Sequence, residues 1–290
     1  MRFDKIILMG TGKIAVDCIS YLSEHVEIEK LLVVESADSF FSILERACNK
    51  RTLSYIKITD KGQMEQYLLD YIQGIRSLII SVNNMYIFSA KLINTGGNDL
   101  EIINLHYGLL PYYRGMNIPT WVIFNGEKQT GITWHYVTPR IDCGNVIVQE
   151  VIDINENTIA FDIVKKGIEL GVRTFKDFIG DFMARKIEVK QITYDDNDIV
   201  YRSTEIPMDG ILTVNCSMEQ TIRLLHCFDY KGIEMMPVLK LYYLNEYYKI
   251  KKYEIGDEYE ADVEECYIEK ENVFIRKADG KKIILYLERI

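Results

Sequence analysis

Short apolar runs alternate with amphipathic stretches through the first half of the chain. Residues 5–9 (Lys-Ile-Ile-Leu-Met) read as a strand, 13–23 as a helix and 29–34 as a second strand. Residues 40–50 look helical and 53–58 extended, while 78–82 (Leu-Ile-Ile-Ser-Val) are apolar enough for a strand buried on both faces. A further strand is expected over 100–105, then a pair over 131–137 and 146–152 that could be antiparallel. Strands separated by helical stretches imply βαβ units and a mostly parallel sheet covered on both sides. A long helix is expected over 158–182, where Ile159, Ile163, Val164, Ile168, Leu170, Val172 and Phe175 fall broadly at helical spacing.

The texture changes at the polar break Asp195-Asp196-Asn197-Asp198. One helix is expected over 218–227, and the remainder alternates in strand fashion, as in Val238-Leu-Lys-Leu-Tyr-Tyr-Leu. The fold class expected is α/β: a Rossmann-like, mostly parallel sheet flanked by helices over 1–200, followed by a small β-rich subdomain over 201–290.

Composition narrows the partners. At 290 residues, 48% hydrophobic and 27% charged, the chain suits a soluble globular protein with a large core. No apolar run approaches the ~20 residues of a membrane-spanning helix, and the apolar start is a strand rather than a leader. Six scattered cysteines suit free thiols in a reducing cytoplasm, the expected location. The formal net charge is −9, and residues 251–290 hold eight Lys/Arg against eleven Asp/Glu. An extended nucleic-acid partner is disfavoured, because gripping a phosphate backbone requires a basic face. No membrane partner is expected either; a small anionic substrate needs only two or three donors.

Gly10-Thr11-Gly12-Lys13-Ile14-Ala15 lies between the first strand and the first helix and fits G-x-G-x-x-A. Glu35 follows the second strand, where a ribose-binding acid would lie in an NAD(P)-dependent oxidoreductase. Glycine turns recur in doubly wound folds whatever the ligand, so a tight turn without a dinucleotide is the simpler reading. Between the two stands a phosphate of the substrate held by Gly10, Thr11, Gly12 and Lys13 at the helix N-terminus. Glu35 is read most simply as a solvated strand end.

The chemistry concentrates in Ile103-Asn104-Leu105-His106-Tyr107-Gly108-Leu109-Leu110-Pro111-Tyr112-Tyr113-Arg114-Gly115, and continues through Gly131-Ile132-Thr133-Trp134-His135 to Ile141-Asp142-Cys143-Gly144. Asn104 and His106 are two apart at the carboxyl end of a strand, so they share a face where ligands collect in open α/β sheets. Asp142 lies on a loop between two expected strands that could return it to the same spot. His135 reads as support or core packing, and Trp121 and Phe124 as helix packing. Arg114 could meet a phosphate or be a plain surface residue, and Tyr107 and Gly108 are further candidates for the substrate side.

This ordered set resembles the formyltransferases that use 10-formyltetrahydrofolate, a family acting on glycinamide ribonucleotide, methionyl-tRNA and amino sugars. The shared pattern is N-x-H-x-S-L-L-P-x-x-x-G followed by Asp-x-Gly, matched here by Asn104, His106, Leu109, Leu110, Pro111, Gly115, Asp142 and Gly144. Gly108 stands where the pattern has serine, which removes a hydroxyl that could brace the loop. The resemblance implies Asn104, His106 and Asp142 as catalytic residues, with no metal. It also implies a pteridine held mainly by backbone groups of the segment containing Met85, Tyr86 and Phe88, with Val137, Thr138, Arg140 and Ile141 closing the other side.

The residue types suit the reaction. An amine that attacks a formyl carbon generates an oxyanion, which the Asn104 amide and a protonated His106 can hold; such donors contribute ~3–4 kcal/mol to a barrier. Asp142 can orient His106 and take the amine's proton, directly or through water. Three acceptors compete: a nucleotide-linked 4-amino-4,6-dideoxyhexose, an aminoacyl group on tRNA or a carrier, and water, as in a formyltetrahydrofolate hydrolase. The acidic C-terminal segment weakens tRNA. The compact C-terminal part resembles those of amino-sugar enzymes in the family, so a nucleotide sugar leads. A silent folate-binding module is the non-enzymatic alternative, and a C-terminal β edge could pair across a homodimer.

Overall fold

A computed structural model describes residues 3–37, 42–195, 198–257, 265–270 and 273–290. Through the first half the elements are β1 (Lys5–Gly10), α1 (Gly12–His25), β2 (Leu31–Glu35), α2 (Ile43–Arg51), β3 (Ser54–Lys57), α3 (Lys61–Ile72), β4 (Ser77–Val82), α4 (Ala90–Gly96), β5 (Leu100–His106), β6 (Arg114–Gly115), α5 (Ile118–Phe124), β7 (Gln129–Tyr136) and β8 (Val146–Asp153). Then come α6 (Ala160–Met183), β9 (Val200–Tyr201), β10 (Ile211–Thr213), α7 (Met218–Phe228), β11 (Lys240–Tyr243), β12 (Glu246–Asp257), β13 (Glu265–Lys270), β14 (Val273–Ala278) and β15 (Lys281–Arg289). The chain forms two compact units, one of Met1–Gly115, Thr130–Ile152 and Lys165–Val200, the other of Met116–Gln129, Asp153–Val164 and Tyr201–Ile290.

In the first unit the strands lie in the order β3-β2-β1-β4-β5-β7-β8. The first five pair in parallel, and β7 runs antiparallel to β5. β2 and β4 are buried at every position, and β1 at all but Lys5, as expected for parallel strands with helices on both faces. Strand order reverses between β1 and β4, so their carboxyl ends diverge toward different crossovers and leave a crevice. Gly10 closes β1 there, where an added Cβ would lie 2.1 Å from the Val82 carbonyl oxygen.

α6 lies close over β5 because it carries glycine where the two meet. A Cβ on Gly167 would come 2.6 Å from Tyr107 Cδ1, and one on Gly171 2.6 Å from Leu105 Cδ2. Trp134 of β7, fully buried, packs against Phe175 and Phe178 of the same helix, and its indole N–H donates to Thr174 Oγ1 at 3.1 Å. Truncating a buried Trp of this kind costs about 3–5 kcal/mol. This helix therefore fixes β5 and β7, the two strands that carry the site.

Three elements differ in detail from the sequence pattern. A 3-10 turn takes Ile28–Lys30, so the second strand begins at Leu31. α3, not anticipated, buries Met64, Leu68 and Ile72 at a spacing of four residues after an Asp60 cap. The expected helix over 40–50 starts at Ile43, and residues 40 and 41 lie outside the described residues. Glu35 is not solvated: it is 3% exposed and accepts the Tyr55 hydroxyl at 2.6 Å, because β3 lies beside β2.

The second unit holds a six-stranded sheet in the order β10-β11-β12-β15-β14-β13, parallel only between β10 and β11. Its core includes Leu212, Leu241, Phe274, Ile283 and Leu285. α7 opens with a capping box in which Ser217 and Gln220 satisfy each other's main-chain donors. Among the described residues no helix is long and apolar enough to cross a membrane.

Two glycine substitutions should move stability in opposite directions. Gly10→Ala, which meets a main-chain oxygen, should lower the unfolding free energy by about 1–3 kcal/mol. Gly180→Ala, exposed in α6 with nothing within 4 Å of its Cβ, should raise it by about 1 kcal/mol. Urea denaturation of both variants measures the pair.

Candidate active site

β5 delivers Asn104 and His106 to one face of the sheet, and its antiparallel pairing with β7 sets His135 opposite Asn104 and Thr133 opposite His106. The loop after β7 then folds back to bring Asp142 to both imidazoles. Asp142 Oδ2 lies 3.4 Å from His106 Nδ1, and Oδ1 lies 3.5 Å from His135 Nε2. The Gly115 amide donates to Oδ2 at 2.8 Å. Asp142 adopts φ +49°, a left-handed backbone that a non-glycine residue keeps only where its surroundings hold it. The three residues singled out in the sequence thus converge.

The proton positions follow from the acceptors. His135 Nδ1 faces the Tyr136 carbonyl at 2.8 Å and must donate to it, which leaves Nε2 bare in the neutral ring. Nε2 then accepts from Asn104 Nδ2 at 3.3 Å. This bond fixes which way the Asn104 amide points and leaves its second amide hydrogen for another acceptor. Burial holds His135 below the ordinary imidazole range, with the Asp142 charge opposing that shift and His106 reinforcing it. His106, 6% exposed, donates from Nε2 to the Tyr113 carbonyl at 2.7 Å.

Gly108 belongs to this geometry. A Cβ there would sit 2.7 Å from His106 Nε2 and 3.1 Å from the Tyr113 oxygen. The loop is braced from behind without a serine hydroxyl. Thr133 Oγ1 donates to the Gly108 carbonyl at 2.6 Å, while Leu110 N–H and Gln149 Nε2 donate to Thr133 Oγ1 at 3.3 and 2.9 Å. Gln149 also reaches the Leu110 carbonyl at 2.8 Å. Thr133 lies in the stretch the sequence picks out but without a role of its own there, and Gln149 carries no motif.

The other candidates sort by where their side chains point. Tyr86 and Phe88 turn into the core, so only their main chains face outward, while Met85, Ile87 and Ile141 are 61%, 68% and 49% exposed. Asn84 stiffens that segment by accepting the Tyr86 N–H at 3.1 Å and donating to the Tyr86 carbonyl at 3.2 Å. Val137 packs on the core, Thr138 donates to the Arg140 carbonyl at 3.0 Å, and Arg140 is exposed. Thr11 caps α1 only with its backbone, since its hydroxyl donates to the Asn83 carbonyl at 2.9 Å. Lys13 is exposed and pairs with Asp17 at 2.5 Å. The first turn of α1 carries no acid, so its amides remain suited to an anion. Burial pushes the Tyr107 phenol up, and its ring rests on Gly167. Arg114 is neither on the surface nor open to a ligand: it is 2% exposed and donates to Cys143 Sγ and to the carbonyls of Asp195 and Asp198. A cavity of 730 Å³ in the second unit, lined in part by Arg223, His226 and Tyr253, contains none of these residues.

Residues 4–178 match the model of the formyl transferase family. The chain belongs to that family. The glycine turn after β1 lies within the match, so a formyl transferase frame accounts for it without an NAD(P) site. The methionyl-tRNA formyltransferase of Clostridioides difficile (strain 630) is 31% identical over 189 residues, covering 60% of this chain and 57% of its own length. The chain therefore spans little more than half of that relative. The GDP-perosamine N-formyltransferase of Brucella melitensis biotype 1 is 24% identical over 226 residues, covering 76% of this chain and 83% of its own. Among solved structures, the sugar 3N-formyl transferase WlaRD, with dTDP and 5-N-formyl-THF, superposes with a TM-score of 0.73 at 22% identity. It covers 99% of this chain and 98% of its own. The N-formyltransferase of Helicobacter canadensis, with folinic acid and dTDP-3-aminofucose, gives 0.72 at 21% identity over 98% and 99%. Both structures share the fold described above, in its mostly parallel sheet and in its β-rich C-terminal sheet.

Burial of His135 should make the stability of the protein acid-sensitive. Its unfolded value is near 6.5 and its folded value lies lower, so as pH falls below about 6.5 the unfolded chain takes up a proton that the folded chain refuses. Stability should therefore drop between pH 7 and 5, and His135→Leu should shrink that drop even if it lowers stability at pH 7. Thermal melts at the two pH values measure the difference.

Proposed function

We propose that the chain transfers the formyl group of 10-formyltetrahydrofolate to the amine of a nucleotide-linked amino sugar of the 4-amino-4,6-dideoxyhexose type. The observation that carries the reading is the convergence of Asn104, His106 and Asp142 at the end of β5, within residues matched to the formyl transferase family.

The residues present fit a pterin. Met85, Ile87 and Ile141 hold exposed apolar surface on the segments that follow β4 and β7, and the braced main chain of 84–88 offers polar groups in fixed directions. When bound, 10-formyltetrahydrofolate supplies an activated formyl carbon. The free amide hydrogen of Asn104, aimed by His135, donates to the oxygen that gains negative charge as the amine adds. His106 donates a second bond once its Nε2–H leaves the Tyr113 carbonyl. Asp142 takes the proton that the amine must lose and holds the opposite edge of His106. The same group, now a carboxylic acid, can give that proton to the departing folate nitrogen and return to its ionised form.

Three observations favour a sugar nucleotide. In sequence, the Brucella melitensis GDP-perosamine N-formyltransferase aligns over 76% of this chain and 83% of its own length, whereas the Clostridioides difficile methionyl-tRNA enzyme aligns over 60% and 57%. The net charge of −9 gives a tRNA backbone little to bind. The phosphates of a nucleotide sugar suit the uncapped N-terminus of α1 beside Gly10, Thr11, Gly12 and Lys13. The 31% identity to the methionyl-tRNA enzyme keeps an aminoacyl-tRNA acceptor as the second reading.

The test is incubation with 10-formyltetrahydrofolate and a panel of UDP-, dTDP- and GDP-linked 4-amino-4,6-dideoxyhexoses, read by mass spectrometry. One sugar should gain a carbonyl mass, and His106→Ala should slow that transfer by about 10²–10³-fold while still binding folate. No sugar product alongside formylation of methionyl-tRNA would reverse the choice of acceptor.

A further inference from the structure

Arg114 buries a full guanidinium next to the site without touching any of the reacting groups. Nη1 donates to Cys143 Sγ at 2.6 Å. Nη2 donates to the Asp198 carbonyl at 2.9 Å and the Asp195 carbonyl at 3.4 Å, and the Asp198 carboxylate lies 3.9 Å away. The Tyr194 ring is 5.8 Å from Cζ, and the Tyr194 hydroxyl donates to the Gly144 carbonyl at 2.7 Å. Next along the chain, the Gly115 amide binds Asp142 itself. The pair Arg114-Gly115 thus grips the pair Asp142-Cys143 twice, by a main-chain donor on the carboxylate and by a guanidinium on the neighbouring thiol.

Burying a guanidinium is costly unless its donors find acceptors, and a hydrophobic residue of similar volume would often be as stable. Stability alone therefore gives little reason for an arginine here, whereas geometry does. Asp142 has a left-handed backbone and no secondary structure on either side, and its carboxylate must reach two histidines from a loop. We propose that Arg114 is a positioning residue: by fixing Cys143 to Asp195 and Asp198, it holds the Asp142 carboxylate beside His106 and His135. The groups facing that carboxylate are His106, His135 and the Gly115 amide, with Cys143, Arg114 and Tyr194 behind them; burial beside Cys143 and Asp142 pushes the Tyr194 phenol up to about 12. The proposal rests on the reading that Asp142 handles the amine's proton, but its structural half can be measured without substrate.

Arg114→Lys keeps the charge and loses the planar fork that reaches three acceptors at once. The variant should lower kcat for the formylated amino sugar by about 10–100-fold, with KM for sugar and folate within about threefold, since a displaced catalytic group costs turnover rather than binding. In the ligand-free protein, side-chain NMR of its four histidines should show the His106 ring signals moved and those of exposed His25 unmoved. Cys143→Ala, which removes the thiol that the guanidinium holds, should act in the same direction. The double variant should be no slower than Arg114→Lys alone, because the two residues act through one contact. Wild-type kcat and wild-type His106 signals in folded Arg114→Lys or Cys143→Ala would overturn the proposal. So would additive losses in the double variant, or losses of activity that merely follow melting temperature. If the wild type formylates no amine, the function assigned above fails, while a moved His106 signal in Arg114→Lys still supports the positioning role.

Discussion

The site depends on one shared carboxylate. Asp142 accepts a main-chain amide from Gly115, and its two oxygens lie 3.4 and 3.5 Å from a ring nitrogen of His106 and of His135, so one residue on a loop meets both imidazoles. Each neighbour then has a direction. The neutral His135 ring turns the Asn104 amide nitrogen toward itself, which leaves the second amide hydrogen for another acceptor. His106 is held between Asp142 and the Tyr113 carbonyl. If the carboxylate moved by an ångström, its approach to both imidazoles would be lost.

The sheet supplies the rigidity that a loop-borne carboxylate lacks. β5 is paired on both edges, in parallel with β4 and antiparallel with β7, and α6 covers it closely where Gly167 and Gly171 allow. Thr133 and Gln149 bond the Gly108 carbonyl and both main-chain groups of Leu110 from behind, so the turn after His106 is braced without a hydroxyl at position 108. Gly108 is the counterpart of that arrangement, since any side chain there would collide with the imidazole.

The parallel strands were legible because continuous apolar runs such as Leu78-Ile-Ile-Ser-Val are characteristic of strands covered on both faces. Asn104, His106 and Asp142 stood out through an ordered set of residues that resembles the family pattern, and the structure brings that strand end and that loop to one place. What remained hidden depends on pairing between distant segments. Glu35 looked solvated because nothing local marks Tyr55 as its donor. That His135 faces Asn104 follows from the β5–β7 register, which no spacing along the chain specifies. Arg114 was ambiguous for the same reason, since its acceptors lie about thirty and eighty residues away. α3 is a different case: Met64, Leu68 and Ile72 stand at helical spacing after Asp60, a legible signal amid polar residues.

A crystal structure of the protein with 5-formyltetrahydrofolate tests the central claim most directly. The account predicts the pterin between the 84–88 and 137–142 segments, the formyl oxygen within hydrogen-bonding distance of Asn104 Nδ2 and His106, and the imidazole released from the Tyr113 carbonyl. A folate seated in the 730 Å³ cavity of the second unit, with Asn104, His106 and Asp142 facing no ligand, would contradict it.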